Sequence, residues 1–140
     1  MSSYYIDSSA LISIIFDEPD AKAMKPFIGS TFFTSQITRV EVIRAVYRIA
    51  PAREKVARDL LESLSMVPLR PAILTQAERL PEKINIRSLD AIHLATANTL
   101  DFLRINGLIT YDKQMAKGAK ELGFEVFTPR VKKPSALSLI

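Results

Sequence analysis

Short runs of aromatic and β-branched residues recur along the chain at Tyr4-Tyr5-Ile6, Thr31-Phe32-Phe33-Thr34, Ser65-Met66-Val67-Pro68-Leu69, Gly107-Leu108-Ile109-Thr110 and Glu125-Val126-Phe127-Thr128. Their length and bounding turn residues predict buried strands. Between them the apolar period lengthens to that of a helix. Asp7-Ser8-Ser9 supplies capping side chains before a short helix over 10–15, which Asp17-Glu18-Pro19 ends, and a second short helix is expected over 21–28 before Gly29. A helix over 39–49 follows the second strand, and Pro51 opens another in which Val56, Ala57, Leu60, Leu61 and Leu64 share a face, so the two should form an antiparallel hairpin. Pro71 starts a helix that Pro81 stops, the segment 89–100 is helical and apolar nearly all round, and the helix over 113–122 is closed by Gly123. Strands alternating with helices predict an α/β domain, a parallel sheet with helices on both faces.

The 140 residues fit a single domain, here 1–128, followed by an irregular basic tail over 129–140 with two prolines and no periodicity. With 48% hydrophobic and 24% charged residues the chain has the composition of a globular protein with a real core. It has no cysteine, which excludes disulfides, thiolate metal sites and a cysteine nucleophile, and its one histidine, His93, excludes histidine-rich metal sites. No apolar run approaches the roughly 20 residues of a membrane span, and Met1 leads into Ser2 and Ser3 without the basic start of an export signal, so a cytoplasmic protein is expected. The net charge is +4, but Arg130, Lys132 and Lys133 lie in the tail, which leaves 16 basic and 15 acidic groups in residues 1–128. That balance makes an anionic partner plausible and no more.

Any hydrolytic chemistry therefore has to rest mainly on carboxylates. In an open parallel sheet ligands gather beyond the carboxyl ends of the strands, and two acids fall there: Asp7 after the first strand and Asp112 after the fourth. Glu41, in Thr38-Arg39-Val40-Glu41, and Asp90, in Arg87-Ser88-Leu89-Asp90, open helices. Each has a purely structural reading. Asp7 and Asp112 suit helix N-caps, Asp90 suits a first helical turn, Thr38 and Glu41 fit a capping box, and Glu41 could pair with Arg44. Four carboxylates brought together would repel one another unless a cation or protons compensated, and hard oxygen ligands suit Mg²⁺ or Mn²⁺.

Four stretches in order make the chain resemble the PIN-domain family, and within it the VapC-type toxins of toxin–antitoxin pairs. They are Tyr5-Ile6-Asp7-Ser8-Ser9-Ala10-Leu11, Thr38-Arg39-Val40-Glu41-Val42-Ile43-Arg44-Ala45, Leu89-Asp90-Ala91-Ile92-His93-Leu94-Ala95-Thr96-Ala97 and Leu108-Ile109-Thr110-Tyr111-Asp112, with Ala116, Ala119, Leu122, Gly123 and Val126 continuing the pattern. The resemblance implies a three-layer α/β/α sandwich on a parallel sheet of about five strands. It also implies that Asp7, Glu41, Asp90 and Asp112 hold one or two divalent ions and cleave RNA, with a homodimer and a small antitoxin as protein partners. The helical hairpin is the expected interface, because it offers more apolar surface than a lone hairpin should leave exposed.

Around these acids, Ser8 and Thr110 are placed to hydrogen-bond the carboxylates or a metal-bound water, though capping and turn formation would explain them equally. His93, three residues after Asp90 in an apolar helix, is expected to be a hydrogen-bonded structural residue rather than a general base. Arg39, Arg44 and Arg48 recur at helical spacing and would guide phosphates beside a nuclease site, or simply solvate the helix. No aromatic stacking platform is evident, so base specificity has no basis here. Two other functions compete with the nuclease: a catalytically silent RNA-binding or complex-assembly module, and an aspartyl-phosphate phosphatase. The second would need an Asp two residues after Asp7, where Ser9 stands.

Overall fold

A computed structural model of the chain describes residues 2–130. The predicted tail thus lies outside the described residues except for Pro129 and Arg130. Five strands, β1 (Ser3–Ile6), β2 (Thr31–Ser35), β3 (Ser65–Val67), β4 (Gly107–Ile109) and β5 (Val126–Phe127), form one sheet in the order β3-β2-β1-β4-β5, and every neighbouring pair is parallel. The helices among them are α1 (Ser8–Phe16), α2 (Glu18–Ala23), α3 (Ile37–Ile49), α4 (Glu54–Glu62), α5 (Pro71–Glu78), α6 (Ser88–Asn98) and α7 (Lys113–Glu121). None of them is long and apolar enough to cross a membrane.

Strand parity builds two cores. Ile6 and Ile109 face the layer of α1, α3 and α4, where they pack with Leu11, Ile15, Val42, Val46 and Leu61. Their neighbours Tyr5 and Leu108 face the opposite layer, with Leu94 and Ala97 of α6 and Met115 and Ala119 of α7. Because successive strand residues point to opposite faces, two adjacent apolar residues feed both cores, which is why central strands read as unbroken hydrophobic runs. The expected three-layer α/β/α sandwich is therefore what forms. Gly107 allows β4 and β5 to meet: a Cβ there would lie 2.6 Å from the Phe127 ring and 2.7 Å from the Glu125 carbonyl oxygen. Gly123, at φ +92°, ends α7 as predicted, with its own N–H donating to the Lys120 carbonyl and the Phe124 N–H to that of Ala119.

Local differences from the sequence pattern have local causes. Asp17 both ends α1 and caps α2, accepting from the Asp20 N–H, so α2 begins at Glu18 with Pro19 in its first turn rather than at Ala21. Pro26 sits in a separate 3₁₀ turn, Lys25–Phe27, which replaces the second half of the expected helix. The turn after α3 is likewise 3₁₀ at Pro51–Arg53 before α4 starts.

Candidate active site

The strand order reverses between β1 and β4: β2 and β3 lie on one side of β1, β4 and β5 on the other. The carboxyl ends of strands at such a switch point are where ligands gather in open parallel sheets. Asp7 follows β1 there and Asp112 follows β4.

Asp7 is buried and held at three points. Its Oδ1 accepts from the Ala10 N–H (3.0 Å), capping α1, and from Ser9 Oγ (2.7 Å), while Oδ2 accepts from Thr110 Oγ1 (2.5 Å). Burial pushes the Asp7 carboxyl above its ordinary range against the pull of these three bonds and of nearby His93. The serine on this carboxylate is Ser9 rather than the expected Ser8, a preference set by the turn geometry entering α1. Ser9 also accepts from the Tyr111 N–H (3.0 Å) and lies 3.2 Å from Thr110 Oγ1. Thr110 holds Asp7 as expected and accepts in turn from the Asp112 N–H (3.1 Å), which locks the two strand ends together.

Asp112 caps α7, its Oδ1 accepting from the Met115 N–H at 2.9 Å, and turns Oδ2 to Arg87 Nη2 at 3.0 Å. The same guanidinium lies 3.4 Å from Asp90 Oδ2 through Nε. That second contact is electrostatic only, since Asp90 Oδ2 is buried with no hydrogen-bond partner among the described residues. Burial first, and the Asp112 charge second, raise the Asp90 carboxyl above its ordinary range, while Arg87 and His93 act in the opposite sense. Arg87 is the site residue that sequence reasoning missed. Its only signal was a bulky cation at the N-cap of α6, where a short oxygen-bearing side chain would be usual.

Glu41 forms no capping box. Thr38 is buried and bonds Thr34 instead (Oγ1 to Oγ1, 2.7 Å), and the N-cap of α3 is Gln36. Glu41 Oε1 contacts His93 Nε2 at 2.7 Å, and His93 Nδ1 contacts the Tyr5 hydroxyl at 2.6 Å. The Tyr5 oxygen accepts from the Ser35 N–H (3.1 Å), and burial holds the phenol well above its ordinary range and hence neutral. A carboxylate only accepts, so Nε2 carries a proton and donates to Glu41, while Nδ1 and the Tyr5 hydroxyl share the second bond. His93 is thus the buried, doubly bonded residue expected, and it fixes Glu41 to the helix that carries Asp90. Glu41, Arg87, Ser88, Leu89 and Asp90 line a cavity of about 380 Å³.

The four acids therefore form one connected edge, from Asp7 through Thr110 to Asp112, through Arg87 to Asp90, and across the cavity to Glu41. Among the described residues no three acidic or histidine side chains are gathered closely enough to enclose an ion as they stand. Arg87 bridges two of the acids, and Glu41 is drawn to His93. Arg39, Arg44 and Arg48 are exposed on α3 and enter no ion pair among the described residues.

A small parallel α/β domain with acids from four separate elements along its carboxyl edge is one defined class. The PIN-domain family model matches residues 4–121, and the chain belongs to that family. It is 33% identical over 132 residues to ribonuclease VapC47 of Mycobacterium tuberculosis, covering 89% of this chain and 96% of the relative. With ribonuclease VapC46 of the same organism it shares 34% over 131 residues, 92% of this chain and 99% of the other. Among solved structures, a toxin–antitoxin complex from Klebsiella pneumoniae superposes with a TM-score of 0.64 at 23% identity, covering 90% of this chain and 97% of the other. VapC20 of M. tuberculosis, a sarcin–ricin loop cleaving toxin, superposes at 0.66 and 14%, covering 87% and 96%.

Proposed function

We infer that the chain is a metal-dependent endoribonuclease of the VapC type, the toxin of a toxin–antitoxin pair, using Mg²⁺ or Mn²⁺ held by Asp7, Glu41, Asp90 and Asp112. The observation that carries the metal assignment is Asp90 Oδ2, a buried carboxylate oxygen without a hydrogen-bond partner among the described residues, at the centre of a connected edge of acids. An all-oxygen donor set fits a hard divalent cation. When bound, such an ion supplies a water of lowered pKa and offsets charge on the leaving oxygen.

The chain's own residues divide the remaining work. Thr110, Ser9 and the Ala10 N–H hold Asp7 in one orientation, and Thr110 sets Asp112 relative to it. His93 fixes one oxygen of Glu41, and the other has no protein partner among the described residues and is free to take the proton of the attacking water. Arg44 and Arg48, exposed and unpaired among the described residues on the helix that carries Glu41, attract the RNA backbone without reading its sequence. The antitoxin and a second copy of the chain are assigned to the hairpin of α3 and α4, where Val40, Tyr47, Ile49 and Val56 are exposed. The protein works in the cytoplasm, where its RNA is.

The test is labelled RNA incubated with wild type and Asp90→Asn in Mn²⁺ or in EDTA. Cleavage should require both the ion and Asp90. RNA bound but left intact by wild type in Mn²⁺ overturns the enzyme assignment, and full cleavage by the variant overturns the site.

A further inference from the structure

Arg87 has no local reason to be an arginine. It is the N-cap of α6 and makes no capping bond there, and a cation at a helix start opposes the macrodipole. A residue that breaks a local preference needs a compensating role elsewhere. Its side chain instead reaches Asp90 in its own helix and Asp112 beyond β4. The hold is weak: one hydrogen bond of 3.0 Å to Asp112, a 3.4 Å contact without hydrogen-bond geometry to Asp90, and a guanidinium side chain 71% exposed against 15% and 25% for the two acids. Exposed ion pairs of this kind are worth little each. A doubly charged ion reaching the same oxygens would compete there with a singly charged, largely solvated group. The displaced side chain remains on the wall of the cavity it shares with Glu41, Ser88, Leu89 and Asp90. There a planar guanidinium suits a phosphate, which it can bind through two parallel N–H donors.

We propose that Arg87 is a displaceable counter-ion: it competes with the divalent ion for Asp90 and Asp112, and once released it binds the backbone phosphate of the RNA at the cleavage site. This rests on the metal site argued above. It gives the site a built-in order, in which the phosphate-binding arm is freed by loading of the carboxylates. The acids keep a partial counter-charge at all times, and RNA binding is coupled to the metal through one side chain.

The experiment compares wild type with Arg87→Gln in two binding measurements that do not depend on turnover. Mn²⁺ affinity is read by electron paramagnetic resonance. RNA affinity is read by anisotropy of a labelled oligoribonucleotide in Ca²⁺, across a salt series. Removing the competing cation should tighten Mn²⁺ binding about three- to tenfold. The same change should weaken RNA binding about tenfold and lower the log–log salt slope by about 0.7. Opposite signs in the two assays are not what a damaged fold produces. Mn²⁺ affinity that is unchanged or weaker in Arg87→Gln overturns the competition, and unchanged RNA affinity overturns the phosphate role. Should Arg87→Gln melt well below wild type in EDTA, Arg87→Lys replaces it. A lysine keeps the charge but not the fork, and should leave Mn²⁺ affinity at the wild-type value while RNA binding falls. If wild type itself binds no Mn²⁺, or Asp90→Asn binds it equally well, the metal site is wrong. If wild type binds Mn²⁺ through Asp90 and Arg87→Gln matches it, only the role of Arg87 falls.

Discussion

Replacing Asp7 with asparagine separates the two jobs of its carboxylate, because the amide keeps the cap and loses the charge. Asn and Asp are equivalent N-caps, so the amide carbonyl can retain the Ala10 N–H at 3.0 Å and Ser9 Oγ at 2.7 Å. Its NH₂ then meets Thr110 Oγ1, which turns from donor to acceptor and passes its own proton to Ser9 Oγ, 3.2 Å away. All three bonds survive but become neutral, at a loss of roughly 1 kcal/mol each. Against this stands the penalty for burying a carboxylate, several kcal/mol. Burial outweighs the hydrogen bonds at Asp7, since its pKa is raised, so the balance favours the amide and the Asp7→Asn variant should melt above wild type. The sign with pH follows from linkage. An acid whose folded pKa lies above its unfolded one destabilises the fold fully above the folded value and not at all below the unfolded value, the ordinary 3.8. Circular-dichroism melts in EDTA should therefore show Asp7→Asn more stable than wild type near neutral pH, with the gap closing as the pH falls toward about 4. In Mn²⁺ at 100 times Kd wild type gains about 2.7 kcal/mol and the variant much less, so the difference between them shifts toward wild type. A variant that melts lower in EDTA, or gains equally from Mn²⁺, refutes the reasoning.

His93→Ala removes a buried ring bonded at both nitrogens and leaves the Tyr5 hydroxyl with only its bond from the Ser35 N–H; urea unfolding should show a loss of about 3 kcal/mol, whereas Glu41→Gln should abolish cleavage with a change under about 1 kcal/mol. Arg44→Ala and Arg48→Ala, both exposed and unpaired among the described residues, should leave stability within about 0.5 kcal/mol. Each should weaken RNA binding to the same degree for unrelated sequences and lower the salt slope by about 0.7, measured by anisotropy.

Much of this architecture was legible because the signals are local. Tyr4-Tyr5-Ile6 and Leu108-Ile109 are central strands by their unbroken apolarity, Gly123 closes a helix because only it takes a left-handed turn cheaply, and the acids after two strands mark the carboxyl edge of a parallel sheet. Asp7 and Asp112 carry both readings at once, each being a cap as well as a member of the acidic edge. What escaped needed three dimensions. Ser8 and Ser9 are interchangeable on paper, and only the turn decides which hydroxyl meets Asp7. Thr38 and Glu41 match a capping box letter for letter, but each finds a partner distant in sequence or in an adjoining element, Thr34 for one and His93 for the other. Arg87 stands three residues before Asp90, and nothing in the local sequence announces that Asp112, 25 residues on from it, shares its guanidinium.

One contact also bears on handling the protein. Beyond β5, the Thr128 hydroxyl donates to the Thr110 carbonyl at 2.8 Å, the Tyr111 hydroxyl donates to the Pro129 carbonyl, and the Arg130 guanidinium stacks 5.4 Å from the centre of the Tyr111 ring. Thr110 and Tyr111 are the two residues immediately before Asp112. A fusion, an affinity tag or a surface tether attached on this side of the domain therefore pulls on a lever whose short arm ends at an acidic side chain of the site, whereas one attached ahead of β1 loads the opposite rim of the sheet.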